Sequence, residues 1–207
     1  MNAEYIKKLL SYMAEVMQEN RETLIQLDSV VGDGDLGLTM SDGFLAASNY
    51  ACSSNEEDLG KLLYGAGKAM STAVPSTMGT LMASGLMHAG KTLKGRREME
   101  LDGLVDIFAA FEEGVMHRGK ATIGEKTFLD GFDPALQSLK TSVQANEDML
   151  TMANLAYLAA ENGYENTATM IAVHGRAATR GEASRTLKDP GAKVAVLMME
   201  ALKRSVL

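Results

Sequence analysis

The residues best suited to chemistry are three aspartates in a short glycine-rich stretch. Asp28, Asp33 and Asp35 fall within eight residues, and three glycines lie between positions 32 and 37. Such a loop is unfavourable by itself, because like charges repel and glycine loses much backbone entropy on folding. A divalent cation would remove the repulsion, and carboxylate oxygens on glycine-permitted turns suit Mg²⁺ or Ca²⁺. The pattern predicts a metal site, with a solvated acidic turn as the alternative.

A calcium-binding EF-hand is excluded by the register of this stretch. An EF-hand loop needs acidic residues at positions 1, 3 and 5, glycine at 6 and glutamate at 12. Counting from Asp33 puts Gly37 at position 5 and Phe44 at position 12, and counting from Asp28 puts Val30 at position 3. Neither register works, so the expected ion is held in another kind of loop.

The aspartate loop precedes a predicted helix from about 38 to 51. The first turn of a helix has free N–H groups and a positive dipole end, which attract phosphate. Metal ions that bridge the aspartates to phosphate oxygens fit this arrangement, as in other phosphoryl-transfer sites. We therefore interpret the loop as a metal-dependent phosphate site.

A second stretch, from 85 to 92, matches the P-loop pattern G-x-x-x-x-G-K-[ST] in every letter. A P-loop needs a strand before it and a helix after it. Here a helical run of small residues precedes the pattern, and Gly95 follows shortly after it. We therefore reject a P-loop and interpret Lys91 as a charge near the C-terminus of a helix.

Apolar residues recur at helical spacing along the whole chain, and no segment alternates with a period of two. The first apolar face is formed by Ile6, Leu9, Leu10, Met13 and Val16, and similar faces follow near 59–70, 101–115, 152–159 and 192–207. This predicts an all-α fold of eight or nine helices in one domain spanning 1–207. The 15 methionines are expected mainly in the core, with a Met-rich partner surface as the alternative.

Composition limits the classes of function. Apolar residues make up 46% of the chain, charged residues make up 23%, and the formal net charge is −7, so we expect no nucleic-acid partner. A single cysteine, Cys52, allows no internal disulfide, and no stretch has the length and apolarity of a membrane span. We expect a cytoplasmic protein without a membrane partner.

Three ordered blocks resemble the nucleotide-binding L subunit of dihydroxyacetone kinases. The family motif L-D-x-x-I-G-D-G-D-H-G-x-N-M is similar to residues 27–40, and G-D-K-T-x-L-D is similar to residues 124–130. A third block, A-T-R-G-x-A-S followed by D-P-G-A, is matched by residues 178–184 and 189–192. The resemblance runs along nearly the whole chain and disfavours the acidic-turn alternative.

The resemblance implies a fold, ligands and partners. The family fold is a barrel of eight antiparallel helices, and its aspartates hold two Mg²⁺ ions on the phosphates of ADP or ATP. The keto-sugar is bound by a separate K-type subunit, so we expect the chain to be inactive without that partner. The phosphoryl donor is ATP in one branch and a phosphotransferase-system protein in the other, and the sequence leaves the branch open. A homodimer is a further expectation.

The resemblance assigns metal binding to Asp28, Asp33 and Asp35. It implies nucleotide contacts from Leu36, Thr39, Ser76, Thr77, Gly79, Lys126, Thr127, Arg180, Gly181, Asp189 and Gly191. Helix capping is an equal alternative for Lys126 and Thr127, and a salt bridge is the alternative for Arg180. No residue is predicted to be catalytic, and we interpret His88, His117 and His174 as structural.

The chain departs from the family pattern at several positions. Leu36 and Glu125 replace the family's His and Asp, and the stretch between Ser184 and Asp189 is shorter than expected. The glycine-rich G-G-A-S-G block becomes residues 75–79, where Pro75 has no N–H to offer a phosphate. These changes indicate a divergent paralogue. They leave a second hypothesis, a nucleotide-sensing regulatory module without transfer activity.

Overall fold

A computed structural model describes residues 1–207, and it is helical throughout. Nine α-helices and two 3₁₀ helices follow one another along the chain, and no strand is present. The helices are α1 (Ala3–Glu19), α2 (Arg21–Val31), α3 (Leu36–Ser53), α4 (Leu59–Ala73), α5 (Thr77–Thr92), α6 (Leu101–Gly119), α7 (Phe128–Gln144), α8 (Met149–Asn166), η1 (Thr167–Thr169), η2 (Arg176–Ser184) and α9 (Pro190–Ser205). The all-α prediction is confirmed, with nine α-helices where the periodicity gave eight or nine.

The chain forms two compact units. The first comprises Met1–Gln18 and Thr39–Lys120, and the second comprises Glu19–Leu38 and Ala121–Leu207. The single domain expected over residues 1–207 stays a prediction. None of the helices has the length and apolarity needed to cross a bilayer.

The first unit is held together by closely packed helices, with α5 lying against both α4 and α6. Glycines permit this approach: a Cβ on Gly60 would lie 2.4 Å from the carbonyl oxygen of Gly90, and a Cβ on Gly114 would lie 2.8 Å from that of Ser84. Backbones this close leave no room for a larger residue, so glycine fixes the helix spacing here.

In the second unit, α7, α8 and α9 pack on one another, and α2 lies against α9. A Cβ on Gly163 would lie 2.3 Å from the carbonyl oxygen of Asp130, and a Cβ on Gly131 would lie 2.7 Å from that of Ala192. The stacked rings of Phe128 and Phe132, with centroids 4.9 Å apart, fill the start of α7. This packing places the N-termini of α7 and α9 close together.

Methionine is used mainly for packing, as the composition predicted. Nine of the 15 methionines are buried. They are Met13, Met17, Met40, Met70, Met82, Met99, Met152, Met198 and Met199. An unbranched, flexible side chain can fill irregular gaps between helices, which explains this use.

Candidate functional site

The three aspartates converge where α2 ends and α3 begins. Asp28 lies in the last turn of α2, and Asp33 and Asp35 lie in the short loop that follows. One carboxylate oxygen from each residue lies within 4.8 Å of the others. Three hard oxygen donors on a partly exposed loop are the donor set that Mg²⁺ prefers, so these residues fit a divalent cation.

The electrostatics of the cluster favour an added cation. Burial raises the pKa of Asp35 above its ordinary value, the charges of Asp33 and Asp28 raise it further, and Arg176 opposes the shift. The backbone N–H of Leu36 also lies 3.4 Å from an oxygen of Asp28, so the first turn of α3 faces this carboxylate. The cluster therefore carries negative charge that is only partly compensated.

Glycines shape the loop around these side chains. A Cβ on Gly32 would lie 2.5 Å from Oδ1 of Asp28, and a Cβ on Gly37 would lie 2.1 Å from the carbonyl oxygen of Arg21. Gly34 has a φ of +76°, which favours glycine over other residues. The glycines seen in the sequence are thus required for the turn and for the position of the Asp28 carboxylate.

Two arginines reach the aspartate loop from η2. The guanidinium of Arg176 forms an ion pair with Asp33, and the guanidinium of Arg180 donates to the carbonyl oxygen of Val30. Gly175 and Gly181, with φ of +66° and +53°, permit the turns on either side of these residues. The sequence assigned a role to Arg180 and Gly181 but not to Arg176. The sequence signal for Arg176 was its position directly after Gly175 and close to the third block.

Several residues assigned to the nucleotide lie at helix termini. Thr127 is the N-cap of α7, and with Asp130 it forms a capping box. Asp189 is the N-cap of α9, where its carboxylate accepts the N–H of Ala192 at 2.7 Å. A Cβ on Gly191 would meet the same carboxylate at 2.9 Å. For Thr127 this geometry supports the capping alternative.

Lys126 is buried, and its ammonium group is surrounded by backbone carbonyls. Burial lowers the pKa of Lys126, an effect that the negative charge of Asp189 opposes. Burial also raises the pKa of Asp189 to about 7. In this arrangement Lys126 stabilises the interior of the second unit, and its assignment to the nucleotide stays a prediction.

The side chains of Glu125 and His174 are within hydrogen-bonding distance, with 2.7 Å between Nε2 of His174 and Oε2 of Glu125. The N–H of Thr122 and the side chain of His174 lower the pKa of Glu125. The N–H of Val173 donates to the carbonyl oxygen of Glu125 at 3.2 Å. These contacts give His174 a structural partner. They also attach the start of the segment that carries Arg176 and Arg180 to the 121–127 loop.

The remaining candidates belong mostly to the first unit. Ser76 is the N-cap of α5 and accepts the N–H of Gly79 at 3.0 Å, and Thr77 is the first residue of α5. A Cβ on Gly79 would lie 2.4 Å from the carbonyl oxygen of Val74. Thr39 and Leu36 are buried near the start of α3, so neither side chain is freely accessible.

One protein-family model matches most of the chain. The DAK2 domain model matches residues 30–204, which include two of the three aspartates and both later blocks. The chain belongs to the DAK2 domain family. This DAK2 chain is also 31% identical to the PEP-dependent dihydroxyacetone kinase, ADP-binding subunit DhaL, of Escherichia coli, over 93% of this chain and 92% of that protein.

Other relatives of the DAK2 chain fall into two size classes. It is 30% identical to an ADP-binding subunit DhaL of Listeria innocua, over 100% of this chain and 98% of that protein. It is 31% identical to L-erythrulose 1-kinase of Mycolicibacterium smegmatis, over 97% of this chain but only 35% of that enzyme. The relatives therefore include both short subunits and longer kinases.

Solved structures share the fold of the DAK2 chain. The dihydroxyacetone kinase of C. freundii superposes with a TM-score of 0.76 at 23% identity, over 99% of this chain and 35% of that chain. A structure of the same enzyme in complex with AMP-PNP and Mg²⁺ gives a TM-score of 0.71, over 96% of this chain and 33% of that chain. These superpositions confirm the helical fold that the resemblance implied.

Proposed function

We propose that this chain is the nucleotide-binding subunit of a dihydroxyacetone-type kinase. It binds ADP or ATP through Mg²⁺, with two ions expected, and works with a K-type subunit that holds a small keto-sugar. The convergence of Asp28, Asp33 and Asp35 within 4.8 Å is the observation that carries this proposal. The E. coli and L. innocua relatives, named as ADP-binding subunits, support it over nearly the full length of the chain.

The roles of the chain's own residues follow from their chemistry. Asp28, Asp33 and Asp35 would hold the ions, whose positive charge neutralises phosphate oxygens during phosphoryl transfer. Arg176 is our candidate for a direct phosphate contact. Its guanidinium already lies at Asp33, and a planar guanidinium can donate two hydrogen bonds to one phosphate. The reaction then depends mainly on positioning and charge.

The proposed acceptor is a small keto-sugar, and the proposed donor is ATP or a phosphotransferase-system protein. Relatives include kinases named for dihydroxyacetone and for erythrulose, so a three- or four-carbon keto-sugar is the proposed acceptor. A relative in Lactococcus lactis is named PTS-dependent, which supports a phosphotransferase-system protein as one phosphoryl donor, with ATP as the other. Incubation with each donor, followed by analysis of the bound nucleotide, distinguishes the two.

Thermal melting tests the metal-dependent site directly. At a hundred times its Kd, ADP with Mg²⁺ should add about 2.7 kcal/mol to the free energy of unfolding, and EDTA should remove this gain. Asp33→Asn should lose most of the gain. Asp42→Asn, which removes an equal charge from an exposed position in α3, should keep it. An equal gain in wild type and Asp33→Asn would refute the aspartate site.

One observation favours the second candidate, a nucleotide-sensing module without transfer activity. In the 75–79 loop the hydroxyl of Ser76 is already used by the N–H of Gly79, and Pro75 has no N–H. This loop therefore has fewer free donors than a glycine-rich one. Consumption of phosphorylated nucleotide in the presence of a K-type subunit and keto-sugar supports the kinase, and ADP binding without consumption supports the sensor.

A further inference from the structure

The ammonium group of Lys126 lies in a cage of carbonyl oxygens. The side chain is only 2% exposed. The oxygens belong to Thr167 at 2.7 Å, Met170 at 3.2 Å, Ser184 at 2.6 Å, Arg185 at 3.5 Å, and Leu187, which is in closest contact. A lysine has three N–H donors, so Thr167, Ser184 and Leu187 take the hydrogen bonds. The other two carbonyls contribute through their dipoles.

This arrangement is energetically demanding for the chain. A buried ammonium group loses its hydration, and here carbonyl dipoles replace the lost water. Lys126 also has a φ of +60°, a left-handed conformation that is unfavourable for a non-glycine residue. Strain of this kind persists where the surrounding structure requires it, and such positions are often functional.

The cage joins the two ends of one segment, 171–183. Thr167 and Met170 lie just before the segment, and Ser184 and Leu187 lie just after it. The N–H of Ala172 donates to Oγ of Ser184 at 3.0 Å, and the guanidinium of Arg185 donates to the carbonyl oxygen of Thr169 at 2.9 Å. Lys126 is therefore at the base of a closed loop of the compact surface type.

This loop carries Arg176, which contacts an aspartate, and Arg180, which contacts the last turn of α2. Arg176 contacts Asp33 and Arg180 contacts the carbonyl of Val30, while most side chains between 173 and 183 are exposed. A segment with so little buried apolar surface has low local stability unless its ends are fixed. The position of the two guanidinium groups therefore depends on the contacts that fix the two ends of the 171–183 segment.

We propose that Lys126 is a positioning residue, whose caged ammonium group holds the 171–183 segment closed and so keeps Arg176 and Arg180 at the aspartate loop. The claim that Lys126 holds the segment closed rests only on the contacts of its ammonium group. Its effect on ligand binding rests on the proposed nucleotide function. Lys126 and its carbonyl cage act through Arg176 and Arg180 and do not themselves contact the nucleotide.

Lys126→Met tests the proposal, with Lys120→Met as the matched control. Lys120 also has a φ of +60°, but it is exposed at the end of α6. Hydrogen exchange is measured by mass spectrometry without nucleotide. In Lys126→Met, amides from 171 to 187 should exchange about tenfold faster, while those of α4 and α5 keep the wild-type rate. Lys120→Met should match wild type in both regions.

Unchanged exchange between 171 and 187 in folded Lys126→Met would overturn the proposal. An equal acceleration throughout the chain would also overturn it, because that result indicates general destabilisation. Titration calorimetry then measures binding of ADP at saturating Mg²⁺, and the variant should bind ADP about 10- to 100-fold more weakly. If exchange between 171 and 187 becomes faster but the ADP affinity is unaltered, the positioning role is refuted. A wild-type chain that does not bind ADP refutes the proposed function instead, since the exchange result does not depend on nucleotide.

A second variant keeps the test valid if Lys126→Met does not fold. Lys126→Gly suits the left-handed φ and leaves the carbonyls around an empty space. Ammonium or potassium ions, which carbonyl oxygens can coordinate, should restore slow exchange between 171 and 187. Tetramethylammonium at the same ionic strength should not. Equal effects of all three cations would contradict the carbonyl cage.

Discussion

The guanidinium group of Arg176 forms an ion pair with the carboxylate of Asp33, one of the three aspartates clustered between α2 and α3. In this conformation the chain provides a cation of its own to a residue proposed to bind Mg²⁺. Both side chains are largely exposed, at 66% for Arg176 and 41% for Asp33, so the pair contributes at most about 1 kcal/mol. Arg176 and a metal ion are therefore expected to compete weakly for the same carboxylate.

Arg176→Gln should strengthen binding of Mg²⁺ in the absence of nucleotide. Removal of the competing guanidinium should raise the affinity by up to about fivefold at low ionic strength, measured by titration calorimetry. Arg97→Gln is the control, because Arg97 forms an exposed ion pair with Glu57 elsewhere in the chain. Weaker Mg²⁺ binding by Arg176→Gln would contradict the competition.

Gly32→Ala should reduce the stabilisation that Mg²⁺ and ADP give in a thermal melt. The new methyl group would lie 2.5 Å from Oδ1 of Asp28, so the carboxylate must move away from its present position. Gly119→Ala is the control, since its Cβ meets only the tip of the Leu81 side chain, at 3.0 Å. If both variants retain the full ligand-dependent gain, the position of Asp28 is not important for binding.

Thr127→Ala distinguishes capping from nucleotide contact. If Thr127 caps α7, the variant should lose about 1 kcal/mol of unfolding free energy and keep the wild-type ADP affinity. Thr127→Ser retains the hydroxyl and should restore most of the loss. Urea denaturation and ADP titration measure the two quantities. A large fall in ADP affinity with normal stability would favour nucleotide contact.

The stability of the chain should depend on the ionisation of Asp189. Burial raises the pKa of Asp189 to about 7 in the folded chain, whereas an unfolded aspartate titrates near 3.9. Because the folded state holds this proton more tightly, the stabilisation is complete below about pH 4 and is lost as the pH rises to about 7. The loss over this window amounts to about 4 kcal/mol at most.

Denaturation of wild type and Asp189→Asn at a series of pH values isolates this contribution. Asparagine keeps an oxygen that can cap α9 but does not ionise, so the difference in unfolding free energy between the two proteins should change between pH 4 and pH 7. The variant should gain relative to wild type as the pH rises. A difference that is constant across this window would show that Asp189 has an ordinary pKa.

Local sequence was sufficient to predict the elements and the aspartate cluster. Helical periodicity depends on contacts three and four residues apart, so α1, α4 and α9 could be located from their apolar residues. Asp28, Asp33 and Asp35 are close in sequence and separated by glycines, so a single turn is enough to bring them together. Their metal-binding role stays a prediction.

Tertiary structure decided the surroundings of the side chains in the later blocks. Matching residues in the 124–130 and 178–192 blocks gave no indication of which side chains are buried. Packing turned Lys126 into a carbonyl-bound interior group and Asp189 into the cap of α9. It also brought Arg176 to Asp33 from a distant part of the chain. Contacts of this kind depend on how helices pack, and residue spacing along one segment does not determine that packing.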